Sequence, residues 1–363
     1  MDLPAPLAWL VDEASTSAGP DQFLAALGGR LRDAGLPIEG GVLTMAVPHP
    51  LIARRTFLWR GDSGAVIEAL GFVPGGPGLA ETADSSGDAG RRWLADLAAG
   101  PVHHSAVGAE PDGPSLAWVG PRRFTSDEAD ALWQAARFAA APLAALAARA
   151  TMAALLESYL GRRSAARVQA GALRRGSGET IRAALLYADL RGFTAMSEAT
   201  EPASVIAALD AWFDRIAGAV HAFGGEVLKF IGDGVLAIFP VTGAPADACE
   251  AALRAVTAAR AGMAHLDAAR QREGLSPLPF GAALHLGEIL WGNIGAADRL
   301  DFTAIGPAVN LVSRLEGLCR PLGHAVLISG AVAAEINAPL VPLGDHEMRG
   351  IAAPCAVFTL REA

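Results

Sequence analysis

The chain has 363 residues, a hydrophobic fraction of 52% and a formal net charge of −9. This length predicts two domains, each with a sizeable core. The acidic balance argues against nucleic acid as a partner, because non-specific binding to phosphates depends on a basic surface. Alanine inflates the hydrophobic fraction, and no stretch of about 18 residues is both apolar and uncharged, so we expect no membrane span.

Cysteine usage and the N-terminus predict the compartment. Cys249, Cys319 and Cys355 lie far apart with no CxxC spacing, which predicts neither a disulfide framework nor a zinc site. The first residues include an acid, Asp2, and no basic segment, so a secretory signal is not expected. Together these features predict a cytoplasmic protein.

Residues 1–150 predict a mixture of helices and strands. The expected helices span 7–14, 21–34 and 126–150, the last with an N-cap at Thr125 or Ser126 and a kink or interruption at Pro142. The expected strands span 41–47, 55–60 and 115–119. Because the segment 75–100 is rich in Gly, Pro, Ser and Asp, it is expected to be a mobile loop.

This order of elements resembles that of a GAF-like sensory domain. The resemblance implies an α/β regulatory domain that responds to an unidentified small molecule or protein. His103 and His104 either ligate a metal or haem, or are polar surface residues of a loop. Four tryptophans either line a ligand pocket or belong to the core: Trp59, Trp93, Trp118 and Trp133.

Residues 151–178 are predicted to form a helical linker between the two halves. Its apolar stripe predicts a parallel pair of helices between two subunits; the stripe consists of Met152, Leu155, Leu156 and Leu160. The linker either transmits a signal or is a plain structural stalk. The arginine pairs at 162–163 and 174–175 are either solvated surface or a docking patch.

Residues 179–363 alternate strands and helices. The expected elements are a strand at 181–189, a helix at 203–223, a hairpin at 226–239, a helix at 246–272 and a strand at 280–287. A Gly-rich excursion, a strand at 301–303, a helix at 307–319 and strands near 325–328, 341–348 and 356–360 follow. The opening βαββαβ order is that of a ferredoxin-like α+β fold.

Two carboxylates at strand ends are candidate metal ligands. Asp233 lies at the tip of the hairpin, where glycines tolerate the positive φ of a tight turn, and Asp189 ends the upstream strand. Mg²⁺ uses such hard oxygen ligands when it binds a polyphosphate. Lys229 is a cation in an apolar strand, on the Val227/Ile231 face if alternation holds, and needs an acceptor.

Four motifs, in order through the C-terminal half, resemble those of the class III nucleotidyl cyclases. They are Tyr187–Thr194, Lys229–Asp233, Gly287–Gly295 and Thr303–Arg314. The resemblance implies a head-to-tail homodimer in which each active site takes its metal-binding side from one chain and its base-binding side from the other. It implies conversion of ATP to 3′,5′-cyclic AMP and pyrophosphate with two Mg²⁺ or Mn²⁺ ions.

The resemblance also implies which residues contact the metals and the phosphates. Asp189 and Asp233, helped by the backbone carbonyl of Leu190, are expected to hold the two ions. Phe193 and Thr194, at the turn that opens a helix, are expected to present backbone N–H groups to phosphate oxygens. Their alternative roles are a core residue and a helix cap.

Further residues are expected to contact the ribose, the α-phosphate and the base. Asn310 and Arg314 share one helix face; the first is expected to bind the ribose and the second to stabilise charge on the α-phosphate. The Lys229 ammonium suits adenine N1 as a donor and the Thr303 hydroxyl suits the N6 amino group as an acceptor. Arg349 is a candidate for gripping the terminal phosphates, and Arg299 is a weaker one.

The sequence leaves several alternatives open. Pro307 stands where relatives of this kind often have an acid, although proline suits the first turn of a helix. The general base is not identified; Asp189 or a substrate phosphate remain candidates. A guanylate or relaxed-specificity cyclase, and a catalytically silent binding or dimerisation protein, are the rival functions.

Overall fold

The computed structural model describes residues 3–46, 52–72, 86–108, 113–171, 174–296, 298–351 and 353–361. The chain divides into two compact units, Met1–Leu155 and Leu156–Ala363. The boundary falls within a helix that begins at Ala140 and ends at Leu160.

The N-terminal unit is an antiparallel sheet with helices on both faces. Its helical elements are α1 (Ala5–Asp12), a 3₁₀ turn (Ala14–Thr16), α2 (Pro20–Asp33), α3 (Ser86–Leu97), α4 (Ser126–Phe138) and most of α5 (Ala140–Leu160). Its strands are β1 (Gly40–Ala46), β2 (Ile52–Arg60), β3 (Val66–Phe72), β4 (His103–Ala106) and β5 (Ser115–Val119). The strand order is β3-β2-β1-β5-β4. Helices α1, α2 and α4 contribute to the core on one face, and α3 packs on the other.

The predicted mobile loop at 75–100 is wrong for the residues that form α3. Leu94 of α3 is fully buried against Val42 and Val119, with Trp93 and Leu97 beside it. Apolar burial on one helix face therefore outweighs the loop-like composition of this segment. The part of that prediction at 75–85 lies outside the described residues, as does Val47 of the predicted first strand.

The strands β3 and β4 were not predicted, and β4 changes the interpretation of the histidine pair. His103 and His104 lie in a strand instead of a loop. The His103 ring forms a hydrogen bond with Ser105 Oγ at 3.2 Å and stands edge-on to the ring of Phe124. His103 is therefore part of the packing of the sheet.

The tryptophans divide between core and surface. Trp59 and Trp118 are buried and meet edge to face, with ring centroids 6.2 Å apart, so the core interpretation is confirmed for both. Trp93, a residue of α3, is partly buried against the sheet. Trp133 is about half exposed and lies under the Arg137 guanidinium, so the core interpretation is wrong for it.

Helix α4 begins and ends where local chemistry predicts. The Thr125 side chain and Glu128 form a complete capping box at its start. The break falls at Ala139, three residues before Pro142. Proline cannot donate to the carbonyl four residues earlier, and its ring clashes with that carbonyl, here that of Phe138, the last residue of α4. The interruption by Pro142 is confirmed, and the helix resumes and continues to Leu160, as the apolar stripe of the predicted helical linker indicates.

One helical stretch among the described residues, Ser126–Leu160, could cross a membrane by its length and composition. Core helices of water-soluble proteins meet the same criterion. Leu132, Leu143 and Leu146 of this stretch are buried in the core of the N-terminal unit. The stretch is accordingly weak evidence for a membrane protein.

The C-terminal unit is an eight-stranded mixed sheet with helices on both faces. Its helices are α6 (Arg162–Gln169), α7 (Phe193–Ala199), α8 (Pro202–Ala222), α9 (Pro245–Arg272), α10 (Pro307–Gly317), α11 (Cys319–Leu322) and α12 (Gly330–Ala333). Its strands are β6 (Gly178–Leu190), β7 (Glu226–Ile231), β8 (Gly234–Pro240), β9 (Phe280–Gly295), β10 (Leu300–Ile305), β11 (Val326–Ser329), β12 (Leu340–His346) and β13 (Cys355–Leu360). The order is β12-β13-β11-β9-β6-β8-β7, with β10 paired to β9.

The centre of this sheet has the predicted ferredoxin-like topology. The chain order β6-α8-β7-β8-α9-β9 is the βαββαβ pattern, and the four strands lie in the order β9-β6-β8-β7. Helices α8 and α9 bury one face of the sheet through Trp212, Ile216 and Val256. Helix α10 covers the opposite face through Val312 and Leu315.

The predicted Gly-rich excursion after residue 287 is wrong, because β9 runs on to Gly295. Strand β9 pairs with β6 along its length, from Gly178 opposite Gly292 to Leu190 opposite Phe280. A Cβ atom at Gly292 would lie 2.2 Å from the Ser177 carbonyl oxygen. Glycine at position 292 therefore lets the backbone of β9 approach the backbone at Ser177 closely.

The linker enters the C-terminal unit through α6. The buried Glu226 carboxylate, at the start of β7, accepts hydrogen bonds from the backbone N–H of Ser164 at 3.1 Å and from its hydroxyl at 3.2 Å. Arg163 lies near the same carboxylate at 3.9 Å. Upstream, Met152 and Leu155 are more than half exposed, and their pairing with a second subunit stays a prediction.

Candidate active site

The hairpin β7–β8 places Asp233 in a two-residue turn. Ile231 pairs with Gly234 across the hairpin, which leaves Gly232 and Asp233 as the turn residues. Gly232 adopts a φ of +63°, which favours glycine, whereas Asp233 does not have a positive φ. This is the pattern of a type II′ turn, whose twist suits antiparallel strands.

Asp189 lies next to Asp233 and is short of partners. Its Oδ1 atom is buried and has no hydrogen-bond partner among the described residues. Burial raises the pKa of the Asp189 carboxyl to about 7, and the neighbouring Asp233 and Glu316 carboxyls add to the shift. Two crowded carboxylates without a paired cation are costly to ionise together. The pair therefore has an unmet need for positive charge.

A divalent metal fits this need. Mg²⁺ and Mn²⁺ prefer carboxylate oxygen ligands, and an orphaned buried oxygen of Asp189 is what such an ion would satisfy. Among the described residues, no group of three or more His, Cys, Asp or Glu side chains has a metal-binding arrangement. The groups that could hold such an ion are the two aspartates and backbone carbonyls such as that of Leu190.

Glu316, a third carboxylate near the pair, was missed by the sequence analysis. It comes from α10, and a Cβ atom at Gly281 of β9 would lie 2.3 Å from its Oε1. Burial raises the pKa of the Glu316 carboxyl, the Arg191 guanidinium opposes the shift, and Asp233 adds to it. In the sequence, the relevant signal was Gly281, which lies opposite Asp189 in the sheet and leaves room for the Glu316 side chain. That role of Gly281 can be recognised only from the tertiary fold.

Arg191 turns inward beneath the start of α7. Its guanidinium donates to the His324 carbonyl at 2.5 Å, and its backbone N–H donates to the Pro279 carbonyl at 2.7 Å. These bonds fix the turn from β6 into α7, where Gly192 has a φ of +75°. Phe193 and Thr194 form the first turn of α7, and Phe193 packs against the core beneath.

Lys229 has an acceptor, as predicted, and it is Asp301 of β10. The predicted alternation is wrong, because a register shift between Val227 and Lys229 interrupts the pairing of β7 with β8. Both partners are partly exposed, and surface ion pairs of this kind contribute about 0 to 1 kcal/mol. Thr303 is buried two residues beyond Asp301, so alternation places both on one face of β10.

Asn310 and Arg314 are both exposed on α10, one turn apart. The opposite face of α10 is buried through Ala308, Val312 and Leu315, so packing orients the two polar residues away from the core. Arg349 is exposed in the connection between β12 and β13.

Comparison with known protein families matches residues 177–360 to the adenylate and guanylate cyclase catalytic domain. The chain belongs to this cyclase family. The match begins one residue before β6 and ends at the last residue of β13, so the cyclase domain comprises the whole eight-stranded sheet. Residues before it, including the N-terminal unit, lie outside the match, and the GAF-like assignment stays a prediction.

Individual relatives agree with the assignment. The chain is 34% identical over 167 residues to adenylate cyclase 1 of Rhizobium meliloti, a match covering 46% of this chain and 25% of that protein. It is 33% identical over 168 residues to an adenylate cyclase of Anabaena cylindrica, covering 45% of this chain and 32% of that protein. The chain thus spans a quarter to a third of these curated relatives.

A solved structure of a bacterial light-regulated adenylyl cyclase is similar in fold. It aligns with a TM-score of 0.52 at 20% sequence identity, covering 71% of this chain and 85% of that chain. Identity at this level supports the fold alone.

Proposed function

We propose that the protein is an adenylate cyclase that converts ATP to 3′,5′-cyclic AMP and pyrophosphate. The observation that carries the proposal is the Asp189–Asp233 pair, with a buried carboxylate oxygen that no described residue satisfies. A crowded acidic pair at strand ends is suited to divalent ions that hold a triphosphate. Membership of the cyclase family and the adenylate cyclase relatives support the same assignment.

The metal side of the site is formed by the strand end of β6 and the tip of the β7–β8 hairpin. Asp189 and Asp233, with the carbonyl of Leu190, would hold two Mg²⁺ or Mn²⁺ ions, which when bound lower the pKa of the ribose 3′-hydroxyl and neutralise the phosphates. The fixed turn at Arg191 and Gly192 aims the backbone N–H groups of Phe193 and Thr194 at the phosphates.

The base and ribose side is formed by β7, β10 and α10. Lys229 keeps one hydrogen bond to Asp301 and has two further N–H donors, one of which is available to adenine N1. The Thr303 hydroxyl accepts from the N6 amino group, a pattern that guanine does not offer. Asn310 binds the ribose, and Arg314 stabilises the charge that develops on the α-phosphate.

The two sides act together across a homodimer. Asp189 and Asp233 of one protomer and the base-binding residues of its partner complete each of two sites in a head-to-tail arrangement. The exposed Met152 and Leu155 of α5 pair with their counterparts. The N-terminal unit responds to a small molecule or protein and biases the dimer.

Cyclic nucleotide formation by the full-length protein tests the proposal. We expect cyclic AMP from ATP with Mg²⁺ or Mn²⁺ and little cyclic GMP from GTP. Asp233→Ala is expected to lower the rate by about 100-fold or more, because one carboxylate cannot hold both ions. Equal products from both nucleotides would replace the proposal with a relaxed cyclase, and no product with either metal would refute it.

A further inference from the structure

Trp212, a residue of α8 outside the active site described above, contacts the tip of the catalytic hairpin. Its side chain is fully buried. The indole N–H donates a hydrogen bond of 2.9 Å to the backbone carbonyl of Asp233. The bond therefore restrains the backbone of the turn residue whose carboxylate faces Asp189.

The same ring also contacts the other carboxylate-bearing element. Trp212 packs against Phe280, with ring centroids 5.0 Å apart. Phe280 is the first residue of β9 and pairs with Leu190, and the next pair along is Gly281 with Asp189. One rigid side chain thus ties the hairpin tip to the strand end on which Asp189 lies.

Burial of an indole ring in this protein does not by itself give its N–H a hydrogen-bond partner. Trp118 and Trp291 are also buried, and their indole nitrogens have no partner among the described residues. The hairpin tip, in contrast, belongs to the edge strand β7, whose Phe230 and Ile231 are about half exposed. Phe230 packs on Phe213 of α8, with ring centroids 4.3 Å apart, but that contact involves a strand residue, whereas the indole N–H of Trp212 bonds directly to the turn backbone at Asp233.

We propose that Trp212 is a positioning residue, whose N–H bond to the Asp233 carbonyl preorganises the aspartate pair for divalent metal before the metal arrives. The inference rests on the proposed function, because it takes the pair to be the metal site. Without this bond the tip samples more conformations, and metal binding must order it. Loss of the bond therefore lowers metal affinity and increases the local motion of the hairpin.

The test removes the donor and keeps the ring. In the full-length chain, Trp212→Phe deletes the N–H, and β-(3-benzothienyl)alanine at position 212 replaces it with sulfur at almost unchanged shape. Trp291→Phe is the matched control, because its buried N–H has no partner to lose. Two quantities are measured: Mn²⁺ affinity, from the paramagnetic resonance of free Mn²⁺, and amide hydrogen exchange of the hairpin peptide 226–240 in metal-free protein.

We expect both donor-free variants to bind Mn²⁺ about fivefold more weakly than wild type, and their hairpin amides to exchange about fivefold faster, as loss of one hydrogen bond implies. The control is expected to match wild type in both. Hairpin exchange and Mn²⁺ affinity equal to those of the control, in the sulfur variant, would overturn the inference. Equal Mn²⁺ affinity of wild type and Asp233→Ala would refute the metal site itself. The hairpin exchange rates would then test separately whether the Trp212 hydrogen bond restrains the turn.

Discussion

The Asp189 carboxyl makes the metal-free protein sensitive to pH, and Asp189→Asn removes that sensitivity. Burial and the neighbouring acids raise the pKa of Asp189 from 3.8 to about 7. A shift of this size corresponds to about 4 kcal/mol if fully expressed. Because the carboxyl is partly accessible to water, screening reduces the expected effect to about 1 to 2 kcal/mol.

The sign of the effect follows from proton linkage. Between pH 4 and pH 7 the folded protein binds more protons at Asp189 than the unfolded chain, so this group's contribution to stability falls as pH rises. Asparagine resembles the protonated acid and carries no such dependence. We therefore expect wild type and Asp189→Asn to be similarly stable near pH 4, and the variant to be more stable by about 1 to 2 kcal/mol at pH 8.

Hydrogen exchange of the slowest amides in β6, measured in metal-free full-length protein, reports the free energy of unfolding of this unit. Asp210→Asn, which removes an exposed carboxylate on α8, controls for the change in net charge. Saturating Mg²⁺ is expected to stabilise wild type more than Asp189→Asn, by mass action. Parallel pH profiles for wild type and Asp189→Asn would refute the account of the acidic pair.

Substitutions at three further positions test the base side and the linker. Lys229→Glu places like charges beside Asp301 and is expected to raise the KM for ATP by about tenfold or more in steady-state assays; an unchanged KM would remove Lys229 from the site. Asp301→Asn should raise that KM by about threefold with little change in kcat, because Lys229 loses a weak orienting partner; a lower KM would mean that Asp301 competes with the base. Glu226→Ala leaves the Ser164 donors unpaired and is expected to destabilise the docking of α6 by about 2 kcal/mol, whereas Glu226→Gln, which still accepts, costs less. Equal hydrogen exchange of α6 amides in both Glu226 variants would contradict this role.

Local patterns in the sequence predicted the hairpin, its aspartate and the central topology. The Gly-Asp-Gly tip and the alternation of strands and helices are short-range signals that tertiary structure did not override. Pro142 likewise predicted the break between α4 and α5, because its effect acts on the preceding turn of its own helix.

Long-range pairing could not be predicted in the same way. An acceptor for Lys229 was expected, yet its identity as Asp301 depends on the approach of β10, 72 residues away in sequence. The bulge before Lys229 has no local signal. Glu316 became visible only when α10 packed on Gly281, and α3 was hidden by a loop-like composition that the burial of Leu94 outweighs.

Complementation between two inactive variants tests most directly whether the site is shared between two chains. Asp233→Ala disables the metal side and Arg314→Ala the ribose and phosphate side, so each variant alone should be inactive. Co-expression yields heterodimers in half of the assemblies, each with one intact site, and we predict cyclic AMP formation at about a quarter of the wild-type rate. Activity no greater than that of the separate variants would contradict a site built from both protomers.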